Sequence, residues 1–165
     1  MENNELKIRR FRLEDKEGVF NLHKKAYKEL PGVDRGNGKF DNDFKDIESV
    51  YIRPGGDFFI GTIDDKIIAM GGLKKLSKDM AEIKRMRVDP AFQRNGFGQI
   101  ILERLEKRAR ELDFSSIQLD TSVLQKSAQK FYEKNGYKEF KREIIVGLEC
   151  IFYNKVLKPS KNRSC

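Results

Sequence analysis

The residues of this chain best suited to chemistry form a glycine-containing loop between a strand-like run and a helix-like run. Residues 88–99 read Val-Asp-Pro-Ala-Phe-Gln-Arg-Asn-Gly-Phe-Gly-Gln, with Gly96 and Gly98 directly before an amphipathic segment. Glycine lets a backbone approach a ligand closely, and the first turn of a helix has four N–H groups without an intrahelical partner. With the helix dipole, these amides predict a phosphate or pyrophosphate site. An ordinary connection whose glycines only relieve crowding is the alternative.

Two longer patterns narrow the nature of this site. Residues 93–98, Gln-Arg-Asn-Gly-Phe-Gly, fit the pattern Gln/Arg-x-x-Gly-x-Gly/Ala. Residues 128–137, Ala-Gln-Lys-Phe-Tyr-Glu-Lys-Asn-Gly-Tyr, fit Ala-x-x-x-Tyr-x-x-x-Gly-Phe, with Tyr137 in the last place, about one strand later. In this order the two stretches resemble the acetyl-CoA-binding motif and the later motif of the GNAT superfamily of N-acetyltransferases. The resemblance covers roughly residues 6–158 and is strongest over residues 81–137.

The resemblance implies acetyl-CoA as cosubstrate and a role for several residues. The backbones of Met86 and Val88 would bond the pantetheine arm, with the Met86 N–H facing the thioester oxygen. Tyr132 matches the general acid of the family, because a phenol with a pKa of about 10 is protonated at neutral pH and can donate to the departing thiolate. Gln125 stands where the family often has Asn. The expected acetyl-CoA-binding residues are Met86, Arg87, Val88, Gln93, Arg94, Asn95, Gly96, Phe97, Gly98, Gln99, Gln125 and Tyr132.

Acetyl transfer to an amine also requires a base. A lysine-like amine has a pKa of about 10.4, so freeing it near pH 7 costs roughly 4.6 kcal/mol. Glu82 is the expected base, since it lies near the start of the strand before the loop, where many members of the resembled family have a glutamate. The alternatives for the base are another acid or an ordered water. Glu82 would then be a solvent-facing strand residue paired with Lys84 or Arg85. Arg85 and Arg87 flank the same strand and are available to substrate or phosphates.

Two other phosphate-binding patterns fail on spacing. A dinucleotide-binding fingerprint needs a third glycine at position 101, which is Ile101, although Asp120 could imitate its ribose-binding acid. A Walker-type loop is excluded because residues 38–40 read Gly-Lys-Phe and lack the upstream glycine spacing.

Composition indicates one globular domain, expected over residues 6–158, with a flexible tail over residues 159–165. The chain has 165 residues, of which 38% are hydrophobic and 36% charged. It has no run of about 18 apolar residues and no signal-peptide core at its start, so a cytoplasmic location without membrane insertion is expected. The net charge of +8 is spread along the chain. Acidic and basic residues alternate over residues 103–111 at helical spacing, which indicates a solvated helix face rather than a nucleic-acid surface.

Side chains that hold metals or build catalytic triads are scarce. Cys150 and Cys165 lack metal-ligand spacing, and the single histidine, His23, lies on a polar helix-like stretch that favours a solvated surface position. Neither a metal site nor a histidine-based triad is expected.

Hydrophobic periodicity supplies the elements that must position these residues. Helices are predicted over residues 14–30 and 40–51, after Gly98, and from Ser122 to Asn135. Strands are predicted over residues 6–12, 58–63, 67–73, 82–88, 116–120, 137–146 and 149–156. A parallel crossover at residues 97–120 and an antiparallel meander before it predict an α/β fold. Its twisted sheet would be mixed and mostly antiparallel, with six to seven strands and helices on both faces. This architecture agrees with the GNAT fold.

The features together predict an N-acetyltransferase that moves an acetyl group from acetyl-CoA to a primary amine by direct attack in a ternary complex. By resemblance, the acceptor site falls on residues 27–51 and 143–149, although Phe40, Phe44 and Tyr51 are more typical of core. A small amine or amino acid, a protein N-terminus and a protein lysine remain open as acceptors, as do a monomer and a homodimer. The competing class is a noncatalytic acetyl-CoA or CoA sensor, which would not need Glu82 or Tyr132.

Overall fold

The computed structural model describes residues 5–28 and 41–159, and seven strands within these ranges form one sheet. The spatial order is β1-β2-β3-β4-β5-β7-β6. The pairing of β4 with β5 is parallel, and the other pairings are antiparallel. The predicted mixed, mostly antiparallel sheet is therefore confirmed. The strands are β1 (Lys7–Arg10), β2 (Asp57–Ile63), β3 (Lys66–Lys75), β4 (Met80–Val88), β5 (Ser116–Ser122), β6 (Lys138–Ile145) and β7 (Leu148–Val156).

Helices cover both faces of this sheet, as predicted. They are α1 (Lys16–Tyr27), α2 (Phe97–Glu111) and α3 (Lys126–Lys134). Side chains of a strand alternate between the two faces, and β2 shows the result. Phe58 and Ile60 join the core beneath α1 together with Val19, whereas Phe59 joins the core beneath α2 and α3 together with Ile101. None of the helices in the described parts of the chain has the length and apolar character that crossing a membrane requires.

Two predicted helices differ from those observed. The helix predicted from Ser122 begins at Lys126, because Ser122 still pairs with β7 at the end of β5 and its hydroxyl accepts from the Leu124 N–H at 3.1 Å. The helix predicted over residues 40–51 is split into a 3-10 turn, Asn42–Lys45, and a turn of π-helix, Glu48–Ile52. Between them the Asp46 carboxylate accepts from the Ser49 N–H at 3.0 Å, a local bond that competes with a continuous helix. The predicted tail, beyond Pro159, and the predicted position of Phe40 lie outside the described residues.

An opening between β4 and β5 is the feature of the sheet that matters for function. Residues Met80–Glu82 of β4 pair with Ser116–Gln118 of β5, and the pairing ends there. Strand β5 itself continues to Ser122, paired with β7. A β-bulge interrupts the pairing of β4 with β3, and Arg85 has a φ of 58° there. Because a bulge bends its strand and increases the local twist, β4 turns away from β5 beyond Glu82.

Candidate active site

The backbone of β4 beyond the bulge points into this opening. The Asp89 N–H donates to the Ile68 carbonyl of β3 at 2.8 Å. Successive residues of a strand direct their backbone groups to opposite sides, so the N–H groups of Met86 and Val88 point away from β3. Beyond Glu82 that side is no longer paired with β5. The arrangement leaves these two amides available to an extended ligand, which is the role that the sequence predicts for them.

The loop after β4 ends in an exposed helix N-terminus. Gly96 precedes the first residue of α2 and has a φ of 78°, a left-handed conformation that suits glycine. A Cβ at Gly98 would meet only Val88 Cγ2, at 3.9 Å, so the space in front of the first turn is open. The first four residues of the predicted phosphate loop are exposed, and the next three are half-buried. In order, these are Gln93, Arg94, Asn95 and Gly96, followed by Phe97, Gly98 and Gln99.

Side chains of this loop hold it together and join it to α3. Asn95 Nδ2 donates to the Phe92 carbonyl at 3.0 Å, which folds the loop on itself. Gln99 and Asn135 exchange two hydrogen bonds, at 2.8 and 3.0 Å, which tie the start of α2 to the end of α3. Gln125 immediately precedes α3, and its Oε1 accepts from the Thr121 hydroxyl at 3.1 Å. In this structure the Gln125 side chain thus bonds to the end of β5.

Tyr132 brings a protonated hydroxyl to the opening. It lies on α3, and its Oη donates to Met86 Sδ at 3.7 Å, a contact across to β4. Desolvation raises the pKa of Tyr132 to about 12, against the lowering effect of the Arg87 guanidinium, and Asp120 reinforces the rise. The hydroxyl is therefore protonated across the neutral range, as a proton donor for a leaving thiolate must be.

Two carboxylates, Glu82 and Asp120, lie on the opposite side of the sheet from Tyr132. Their neighbours Ala81 and Leu119 are buried beneath α2 and α3, so strand alternation directs both acids to the α1 face. Glu82 Oε1 lies 3.6 Å from Lys84 Nζ. Desolvation and then the Glu82 carboxylate raise the pKa of Asp120, which indicates that the two acids are close. Sequence reasoning missed Asp120 as a candidate base, because its closeness to Glu82 depends on where the pairing of β4 with β5 ends.

The α1 side of the site carries a buried polar network that includes His23. The expectation of a solvated His23 is wrong, because its side chain is 1% exposed and its ring lies 4.4 Å from that of Phe44. His23 Nε2 is 3.0 Å from Asp41 Oδ1, and Nδ1 is buried without a hydrogen-bond partner. Burial and then the positive charge of Arg87 lower the pKa of His23 to about 4. The imidazole is accordingly neutral at pH 7.

The predicted solvated face of α2 is also wrong at one residue. Glu106 is buried, and its Oε1 accepts from Tyr137 Oη and from Lys155 Nζ, both at 3.0 Å. Tyr137 in turn packs edge-on against Tyr132, with 5.7 Å between ring centroids. The buried ion pair therefore lies behind the Tyr137 ring on which the candidate acid packs. Within residues 5–28 and 41–159, no group of three or more potential metal ligands is found.

Comparison with known proteins gives this geometry a context. The profile of the Acetyltransferase (GNAT) family matches residues 17–137, which is more than half of the chain. The N-acetyltransferase YjgM of Escherichia coli is 24% identical over 134 residues, covering 79% of this chain and 80% of that protein. An N-acetylaspartate synthetase of Xenopus tropicalis is 29% identical over 98 residues, covering 58% of this chain and 36% of that protein. The chain thus spans only about a third of the length of the synthetase.

Solved structures share the fold over nearly the whole chain. A GNAT-family acetyltransferase from Staphylococcus aureus Mu50 superposes with a TM-score of 0.82 at 26% identity, covering 93% of this chain and all of that one. The yncA protein of Salmonella typhimurium, whose structure contains its cofactor acetyl-CoA, superposes with a TM-score of 0.76 at 16% identity, covering 97% and 98%. The second likeness concerns the fold alone.

Proposed function

The chain belongs to the acetyltransferase (GNAT) family, and on that premise we propose that it transfers the acetyl group of acetyl-CoA to a primary amine by direct attack in a ternary complex. The observation that carries the proposal is the opening between β4 and β5. It combines backbone amides at Met86 and Val88 with a protonated Tyr132 on one face and two carboxylates on the other.

The loop and the opening together fit the two ends of acetyl-CoA. The pyrophosphate would lie on the amides at the start of α2, where the left-handed Gly96 and the open space before Gly98 leave room. The pantetheine arm would lie along β4 like an added strand and bond the backbone of Met86 and Val88. The thioester would then reach Met86, beside the Tyr132 hydroxyl.

The steps of the transfer follow from this placement. The amine loses a proton to Glu82, directly or through water, with Asp120 as the alternative base beside it. Its nitrogen attacks the thioester carbonyl carbon, and the Met86 N–H donates to the oxyanion that forms. The oxyanion then collapses to the amide carbonyl as the carbon–sulfur bond breaks, and Tyr132 gives its proton to the leaving thiolate. The amide nitrogen loses its second proton to water, and water returns a proton to Tyr132, so that a neutral amide and coenzyme A result. Acid and base thus act from opposite faces of the sheet, so the amine approaches from the α1 side and coenzyme A leaves from the other.

The proposal is tested by free-thiol release from acetyl-CoA with a panel of amines, peptides and proteins. The similarity to a protein named N-acetylaspartate synthetase makes free amino acids a class to include. Gly98→Glu places a negative charge where the pyrophosphate is expected, and an added side chain meets little there, so the variant should fold but lose acetyl-CoA binding. Gly98→Ala is the matched control, because it adds a Cβ without charge. Equal acetyl-CoA affinity in the wild type and in folded Gly98→Glu would contradict the proposed site.

A further inference from the structure

Two arginines of β4, two residues apart, have very different surroundings. Arg85 donates to both oxygens of Asp43, from Nε at 2.9 Å and from Nη2 at 2.8 Å. It also lies 3.6 Å from Asp41 and stacks over the Phe44 ring at 4.9 Å. Its charge is therefore balanced within the protein.

Arg87 has no such balance among the described residues. Its Nη1 donates to the Met86 carbonyl at 2.8 Å, while its Nε is buried without a hydrogen-bond partner. No ion pair joins Arg87 to a carboxylate in the parts of the chain that the structure describes. Desolvation and then the charge of Arg85 lower its pKa, yet an arginine stays protonated in proteins. Buried charges are normally paired, so a buried guanidinium that has no carboxylate partner among the described residues indicates an anionic ligand.

The position of Arg87 shows which part of a ligand it would meet. It lies next to Met86, where the thioester is expected, and its charge acts on Tyr132 from one side and on His23 from the other. It thus lies at the junction of the reaction centre and the α1 face. The phosphates of acetyl-CoA are expected at the loop that begins at Gln93, further along the chain. The sequence predicts Arg87 as an acetyl-CoA-binding residue, whereas its position makes it available to the acceptor instead.

We propose that Arg87 binds the carboxylate of the acceptor, and that the acceptor is a free α-amino acid. This inference rests on the proposed acetyl transfer. In an α-amino acid the carboxylate and the reacting amine are attached to the same carbon. A carboxylate bound by Arg87, one residue from Met86, would therefore leave the amine close to the expected thioester. A protein lysine has no carboxylate beside its amine, and a protein N-terminus has a neutral amide there. Arginine suits the task because its planar fork matches a carboxylate in two places.

Paired substrates test this assignment. Thiol release is measured with the twenty L-amino acids and, for every active one, with its α-carboxamide, which keeps an amine but lacks the negative charge. We expect the wild type to prefer the acid by roughly 10²-fold or more in kcat/KM. Arg87→Gln should reduce that preference to a few-fold by losing rate on the acid, with the KM for acetyl-CoA nearly unchanged. Arg53→Gln is the matched control, since Arg53 is an exposed arginine paired with Glu48 at 3.4 Å, away from the opening.

Each outcome of the experiment decides the question. A wild type that uses acids and carboxamides equally well overturns the role of Arg87, whether or not any variant folds. A preference for the acid that survives in Arg87→Gln overturns it as well. Calorimetric binding of the same amino acids, with coenzyme A present, separates this inference from the proposed reaction. Binding that Arg87→Gln abolishes, without thiol release from any amine, would support Arg87 and refute the acetyl transfer; no binding and no turnover would refute both.

Discussion

Replacing Tyr132 with phenylalanine removes one hydroxyl from the opening and little else. The Tyr132 Oη has a single described hydrogen-bond partner, the sulfur of Met86 at 3.7 Å, which is a weak acceptor. The ring contacts to Phe131 and Tyr137, at 5.2 and 5.7 Å, remain in the variant. We therefore expect the free energy of unfolding to change by no more than about 0.5 kcal/mol.

The effect on turnover should be much larger. A positioned general acid contributes about 10²–10⁴-fold, and the lower end applies here because a thiolate is a fair leaving group. A 10²-fold fall in kcat corresponds to about 2.7 kcal/mol of transition-state free energy. Because the pKa of Tyr132 is raised to about 12, the wild type should show no loss of kcat from ionisation of this residue below about pH 10.

The assay is thiol release under saturating acetyl-CoA and the best acceptor, with single-turnover measurements to establish that chemistry limits the rate. Tyr153→Phe is the matched control. Tyr153 also has a raised pKa, of about 12, and its Oη donates to Glu133 at 3.1 Å, but it belongs to the core on β7. Its loss should leave kcat within a few-fold of the wild type. A Tyr132→Phe enzyme that is folded, limited by chemistry and as fast as the wild type would refute the assignment.

Three other perturbations test neighbouring parts of the structure. Glu82→Gln should lower kcat near pH 7 by roughly 10²-fold or more and make kcat depend more steeply on high pH. If kcat and its pH profile are unchanged in Glu82→Gln but kcat falls in Asp120→Asn, the base is Asp120. His23 has a pKa of about 4 in the folded protein, below the ordinary value of 6.5 that it has when unfolded, so the unfolded chain takes up the proton first as the pH falls below 6.5. The free energy of unfolding, measured by urea denaturation, should therefore be about 2 kcal/mol lower at pH 5 than at pH 7. The same pH dependence in His23→Gln would contradict this assignment. Gly96→Ala should cost about 1 kcal/mol of stability through its left-handed backbone and raise the KM for acetyl-CoA, whereas wild-type values of both would show that the loop does not need a glycine there.

Features that depend on neighbouring residues could be predicted from the amino-acid sequence. The local patterns of apolar and turn-forming residues predicted all seven strands and the three main helices, because these elements are signalled within short stretches of the chain. The loop at residues 93–99 could be recognised for the same reason, since a glycine-opened helix N-terminus is built from contiguous residues. Tyr132 stood out because the motif around it lies within ten residues of chain.

Contacts between charged and polar groups from distant parts of the chain follow from the folding of the chain and could not be predicted from its sequence. Glu106 looks solvated within its helix, and it is buried because Lys155, 49 residues later, reaches it from β7. His23 is covered by Phe44 and bonded to Asp41, 18 residues away, neither of which belongs to its own helix. Asp120 becomes a candidate base, and Arg87 a cation without a carboxylate partner among the described residues, only where β4 diverges from β5. That divergence depends on a bulge at a non-glycine residue and on pairings between distant strands, so no local pattern in the chain records it.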